Sequence, residues 1–239
     1  MIDWVEYLTD QKLIPPMFAR SMREHQRSWR EGKRSYHDFL HEIISAYQAI
    51  EAEIDLQQLR EVAGAFVAQD RSYLEEGVVG STLLQLFENL RVDVHIVSGG
   101  PLAVLREYRD RHGCIKRVTG ISSRTAASSV LVLKQDVARI RTSSPVLFGI
   151  GDSETDIPLF ETSHCPIGIN FAPKELLAKG GLFVRASSDL RLSQEALIQL
   201  SSYVRACVRR WSDSTLFLVG FLKGSYDGDA KHKAGKCNQ

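Results

Sequence analysis

The chain has 239 residues, 44% hydrophobic and 25% charged, the proportions of a globular protein with one large domain, or one domain and a subdomain. Its 30 basic and 29 acidic residues leave no general field to draw it onto nucleic acid or a membrane surface, and no apolar run nears the length of a membrane span. Cys114, Cys165, Cys207 and Cys237 are scattered without metal-ligand spacing, and the opening "MIDWVEYL" has no signal-peptide core, both of which suit a reducing cytoplasm.

Residues 3–75 predict helices throughout. Leu13 and Ile14 lead into Pro15-Pro16, a break that can begin a helix. The adjoining "MFARSMREHQRSWREGK" is amphipathic and rich in helix formers, and Gly32 punctuates it. Ser35 with Asp38 resembles a capping box for "YHDFLHEIISAYQAI", and Asp55 caps "LQQLREVAGAFVAQ". Arg20, Arg23, His25 and Arg27 share one of these helices and read as its solvated face.

From about residue 76 the texture changes. "TLLQLFENL" predicts a helix, "VDVHIVSGG" a short apolar strand, and "PLAVLREYRDRHG" a helix with Gly113 as its C-cap. "VLVLKQDVARIR" starts extended and turns helical. "VLFGIGDS" predicts a strand, "TDIPLFETS" a helix, "CPIGIN" a strand, "KELLAKGG" a helix and "LFVRA" a last short strand. Strands alternating with helices argue for an α/β fold, a parallel sheet with helices on both faces. Ligands of such sheets sit at the C-terminal strand ends, where Ser98 and Asp152 both fall.

"VHIVSGG" puts the Ser98 hydroxyl and the amides of Gly99 and Gly100 at a strand tip, ahead of a helix N-terminus, which is a cradle for an anion. The plainer reading is an ordinary strand-to-helix turn. Lys134 comes after an apolar run, where a cation can neutralise a phosphate oxygen; the plainer reading is an exposed helix lysine. Lys116 and Arg124 are the next cations to consider. Asp152 and Asp156 end another apolar run. Together they suit Mg²⁺, which takes one or two carboxylates with water and substrate phosphate, or they simply cap a helix.

In order and spacing these features resemble the haloacid dehalogenase (HAD) phosphatase superfamily, and most of all its phosphoserine phosphatase-like branch. "IVSGG" is similar to the second motif of that family, Lys134 in "VLKQDVARI" to the third, and "GIGDSETDIPLF" to the fourth. "SYLEEGVVG" and "CPIGINFAPKELLAKGG" are similar to its flanking stretches, so the resemblance covers roughly residues 5–190. It implies a helical cap over residues 1–75 and a HAD-like α/β core over 76–222, with 223–239 a disordered polar tail. It also implies Mg²⁺ at Asp152 and Asp156, phosphate at Ser98, Gly99 and Lys134, a catalytic role for Lys134, and a small phosphorylated metabolite as substrate.

The first motif of the family, a strand ending in D-x-D-x-T, supplies the aspartyl nucleophile and the general acid/base. "MIDWVEYL" resembles the stretch immediately C-terminal to that motif, so the expected sheet lacks its central first strand. The chain is expected to be inactive as written, through truncation or a mis-assigned start. The alternative is a degenerate, non-catalytic HAD-like protein that binds metal, phosphate or a protein partner. "TLFLVGFL" at 215–222 is strand-like and can partly fill the gap. Asp227 and Asp229 lie beyond it as a D-x-D, separated from the strand by Lys223–Tyr226; they read as a polar tail rather than a permuted first motif.

Overall fold

The computed structural model describes residues 1–69, 77–124 and 146–211, together with the backbone of 216–220. Four helices come first: α1 (Ile2–Asp10), α2 (Pro16–Arg30), α3 (Tyr36–Ala52) and α4 (Leu56–Gln69). Their ends fall where the sequence punctuates them. Pro15 and Pro16 take the N-cap and first position of α2, where a missing N–H costs nothing. Gly32 adopts φ +70° just past the end of α2, a left-handed turn that favours glycine. Ser35 Oγ accepts from the Asp38 N–H at 3.1 Å to start α3. Asp55 Oδ1 accepts from the N–H groups of Gln57 and Gln58 at 2.9 and 3.1 Å to start α4.

The rest of the described chain alternates. α5 (Val79–Asn89), β1 (Val94–Pro101), α6 (Leu102–Arg111) and β2 (Ile115–Ile121) precede β3 (Val146–Gly151). A 3-10 turn at Glu154–Asp156 then leads to α7 (Ile157–Thr162), β4 (Ile167–Ile169), α8 (Lys174–Ala178), β5 (Leu182–Val184), α9 (Gln194–Arg210) and β6 (Leu216–Gly220). The six strands form one parallel sheet in the order β2-β1-β6-β3-β4-β5. The fold is therefore α/β, as the alternation predicts.

Apolar clusters lie on both sides of the sheet. Val94 and Ile96 of β1 pack with Leu83 and Phe87 of α5, Phe148 of β3, and Leu200 and Val204 of α9. Val97 joins Val104 and Tyr108 of α6 and the helices of the first 69 residues. One strand thus feeds two cores with alternate side chains. The helical segment is held to the sheet by polar contacts as well. Arg111 donates to the Gly64 carbonyl at 3.0 Å, and Gln48 Nε2 donates to the Ser122 carbonyl at 3.0 Å, just past β2.

The structure departs from the sequence-based expectations in three places. First, the position between β1 and β3 is not left open by the missing first strand but filled, by part of the 215–222 stretch that the sequence marks as strand-like. β6 pairs with β1 from Val94↔Phe217 to Val97↔Gly220, and with β3 through Val146↔Leu216, Gly149↔Leu218 and Ile150↔Val219. Two facing strand edges need partners for their N–H and C=O groups, and 216–220 supplies them. Second, Gly113 does not cap α6: the helix stops at Arg111, and His112 is already extended at φ −125°, ψ 111°, while Gly113 has no positive φ. Third, β2 and α9 fall in stretches to which the sequence pattern assigns no element. Residues 223–239, with Asp227 and Asp229, and Lys134 with its segment lie outside the described residues.

Candidate phosphate and metal site

Because all six strands are parallel, their C-terminal ends share one edge of the sheet, and Ser98, Asp152 and Asp156 lie toward that edge. Ser98 and Gly99 are buried near the end of β1. Ser98 Oγ accepts from the Gly100 N–H at 3.0 Å, the bond expected of a serine turn. Accepting leaves the hydroxyl proton available to a ligand oxygen. The turn lies close against β2, since a Cβ on Gly120 would stand 2.9 Å from the Gly100 carbonyl oxygen.

On the far side of β6, β3 ends at Gly151 and the acid loop begins. Asp156 is fully buried. Its Oδ2 accepts from the Asp152 N–H at 2.9 Å, the Ser153 N–H at 3.1 Å and the Ser153 hydroxyl at 3.1 Å, closing a capping box around the 3-10 turn. The capping alternative raised from the sequence is therefore what Asp156 Oδ2 does, and Asp156 sits directly behind Asp152, as expected. Ser153 is a further member of the site, absent from the sequence-based set. Its signal is nonetheless present: "SETD" has the same spacing as the Ser35–Asp38 cap.

Asp152 is half-buried at the loop tip and contributes its N–H, not its carboxylate, to that box. Among the described residues no group of three or more His, Cys, Asp or Glu gathers as a metal cage. A metal here would thus rest on the two loop carboxylates. That donor set fits Mg²⁺, which keeps several waters and takes the rest of its shell from phosphate. Asp152 is the direct ligand candidate, and Asp156 holds the loop in shape.

Of the cations considered in place of Lys134, Lys116 stands near the start of β2, at the opposite end from Ser98, and donates to the Gly113 carbonyl at 2.8 Å. Arg124 is exposed three residues beyond the end of β2, at the site edge, with its N–H on Ser122 Oγ at 3.3 Å.

The acid loop carries a testable energetic signature. Asp156→Ala would leave two N–H groups and a hydroxyl without their acceptor in a buried turn. The expected loss of stability is about 3–5 kcal/mol, the scale of removing one partner of a buried charged network. Asp156→Asn, which keeps an acceptor oxygen, should cost clearly less. Urea midpoints at constant m-value measure both; equal, small shifts would show that the loop does not depend on Asp156.

No helix among the described residues is long and apolar enough to cross a membrane. No family model matches the chain, and neither a curated protein nor a solved structure matches it.

Proposed function

We propose that the chain is built as a HAD-type phosphomonoester hydrolase of the cytoplasm, acting on a small phosphorylated metabolite with Mg²⁺. The observation that carries this reading is the placement of Ser98 and Asp152 at the tips of β1 and β3, on either side of one central strand. A phosphate bridging the two tips would take hydrogen bonds from the Ser98 hydroxyl and the amide of Gly99, the Gly100 N–H being held by Ser98 Oγ. Asp152, held by Asp156, would carry Mg²⁺ against another phosphate oxygen, and Lys134 would neutralise the developing charge. The helices of the first 69 residues would cover the edge and exclude water.

A second reading has its own support. β6 takes the position that the resemblance assigns to the nucleophile strand, and "LFLVG" carries no acid. A chain with this central strand binds a phosphate ester without forming an aspartyl-phosphate, which is the non-catalytic alternative.

Both readings require Mg²⁺-dependent phosphate binding, and calorimetry with inorganic phosphate tests it. The expected result is binding that disappears with EDTA and weakens at least about tenfold in Asp152→Asn, the effect of losing one charged metal contact. Phosphate affinity indifferent to both changes would remove the site from this edge of the sheet.

A further inference from the structure

Two thiols meet in the core, in an apolar cluster whose described members include none from α1–α4. Cys165, just ahead of β4, and Cys207, in the last turns of α9, are both buried and reduced. Their neighbours fix them in place. His164 and Cys165 donate their N–H groups to successive carbonyls of β3, Val146 and Leu147, at 2.9 and 2.7 Å. They therefore do not alternate across the sheet as two residues of a regular strand do. His164 stacks on Trp211, with ring centroids 4.2 Å apart and planes 12° from parallel. Trp211 stands one helical turn past Cys207, and its N–H donates to the Cys207 carbonyl at 3.0 Å. Tyr203, Cys207 and Trp211 recur at the spacing of a single helix face, and that face lies against His164 and Cys165.

The two sulfurs are unequal. Cys207 Sγ accepts hydrogen bonds from the Cys165 thiol and the Tyr203 hydroxyl, with the Arg210 guanidinium nearby. The bond from Cys165 dominates, and together these hold the Cys207 thiol below its ordinary range against the effect of burial. The same bond, with burial, pushes Cys165 far up. Cys207 is 8% exposed, on a turn whose Arg209 and Arg210 reach the surface, so a small oxidant needs little opening to touch it. Cys114 offers the contrast. Its thiol donates to the Leu84 carbonyl at 3.9 Å, and burial pushes it up to about 11.

A sulfur stabilised as thiolate, with a second thiol bonded to it, is the arrangement of an attacking and a resolving cysteine. We propose that Cys165 and Cys207 form a peroxide-sensitive dithiol, with Cys207 attacking and Cys165 resolving, whose product disulfide ties the end of α9 to the entry of β4. The Cys207 thiolate attacks one oxygen of hydrogen peroxide. An S–O bond forms, the O–O bond breaks, and the departing hydroxide takes up a proton as water. The Cys165 sulfur then attacks the sulfenic sulfur. The S–S bond forms, the S–O bond breaks, and the hydroxyl leaves as a second water with the Cys165 proton. Two thiols are oxidised to one disulfide and one peroxide is reduced to two waters. The dithiol stands apart from the Ser98–Asp152 edge and does not depend on what binds there.

Peroxide treatment of the full chain carrying Cys237→Ser tests it, followed by alkylation in denaturant and peptide mapping by mass spectrometry. The peptides of Cys165 and Cys207 should be joined, while Cys114 is alkylated and reacts at least about tenfold more slowly. The oxidised chain should melt at least about 5 °C higher, because the link closes a long loop, and dithiothreitol should reverse the gain. Cys165→Ser should leave Cys207 as a sulfenic acid that dimedone traps, with no thermal gain; Cys207→Ser should leave dimedone nothing to trap at residue 165. Mapping and melting of the chain with both thiols need neither variant, which covers the case in which one fails to fold. Both thiols still open to alkylation after peroxide, or Cys207 carried on to sulfinic acid without the link, would overturn the proposal. So would a link that lowers the melting temperature, since it would belong to the unfolded chain.

Discussion

Gly151→Ala should lower stability by about 3 kcal/mol or more, at the upper end of overpacking effects, and should remove Mg²⁺-dependent phosphate binding with it. A Cβ on Gly151 would overlap the Cβ and Cγ of Asp156 and stand 2.6 Å from its Oδ2. Asp156 cannot retreat, because that same oxygen is fixed by three hydrogen bonds to the loop in front of it. Nor can the helix behind it slide away. Gly149 lies so close to α7 that a Cβ there would stand 2.7 Å from the Leu159 carbonyl carbon and 2.7 Å from Ser163 Oγ. Gly113→Ala is the control: nothing lies within 4 Å of its would-be Cβ and its φ is ordinary, so the expected change is within about 0.5 kcal/mol. Urea denaturation of the two variants separates them. Comparable midpoints would mean that β3 and its acid loop are not packed as described.

The 239-residue chain, assayed with Mg²⁺ and p-nitrophenyl phosphate, is expected to give no turnover above background. The central strand brings no carboxylate to the sheet edge as far as Gly220. On the proposed hydrolase reading only positioning and charge stabilisation would remain, and removing the nucleophile from a covalent hydrolase costs on the order of 10⁶ in kcat. Uncatalysed phosphate ester hydrolysis is slow enough that the remaining rate is invisible in a routine assay. A chain extended ahead of residue 1 by a strand ending in D-x-D-x-T should turn over. On the HAD-type reading that strand would enter between β1 and β3 and displace 216–220, so gain of activity should coincide with new protease sensitivity near residue 216. Robust turnover by the 239-residue chain, lost in Asp152→Ala, would contradict this prediction and direct attention to Asp227 and Asp229.

The features legible in the sequence are those of local chemistry. Ser35 with Asp38, Asp55, and the Pro15-Pro16 break each act within a few residues of themselves, and each sets a helix end where expected. "GIGDSETD" is legible for the same reason, since its glycines answer to the helix immediately beyond it. β2 is not legible because "IKRVTGI" shows neither strict alternation nor a continuous apolar run: the residues in its middle are exposed or only partly buried, as an edge strand permits. The role of 216–220 is only half visible. Its apolar character marks a strand, but its neighbours are set by unpaired edges far away in the chain, and no window of sequence carries that information.

The position of β6 has a consequence for how the chain acquires its structure during synthesis. β2 and β1 form one half of the sheet and β3, β4 and β5 the other, and the hydrogen-bonded connection between the halves is a strand that leaves the ribosome after all five. Until then β1 and β3 each present a bare, apolar parallel edge, a template for pairing with another chain. The final step is also the one with the longest loop to close, which places it among the slow events of folding. A nascent chain stalled before residue 216 is thus expected to sit in two half-sheets that recruit chaperones, and to become protease-resistant only once that strand has emerged.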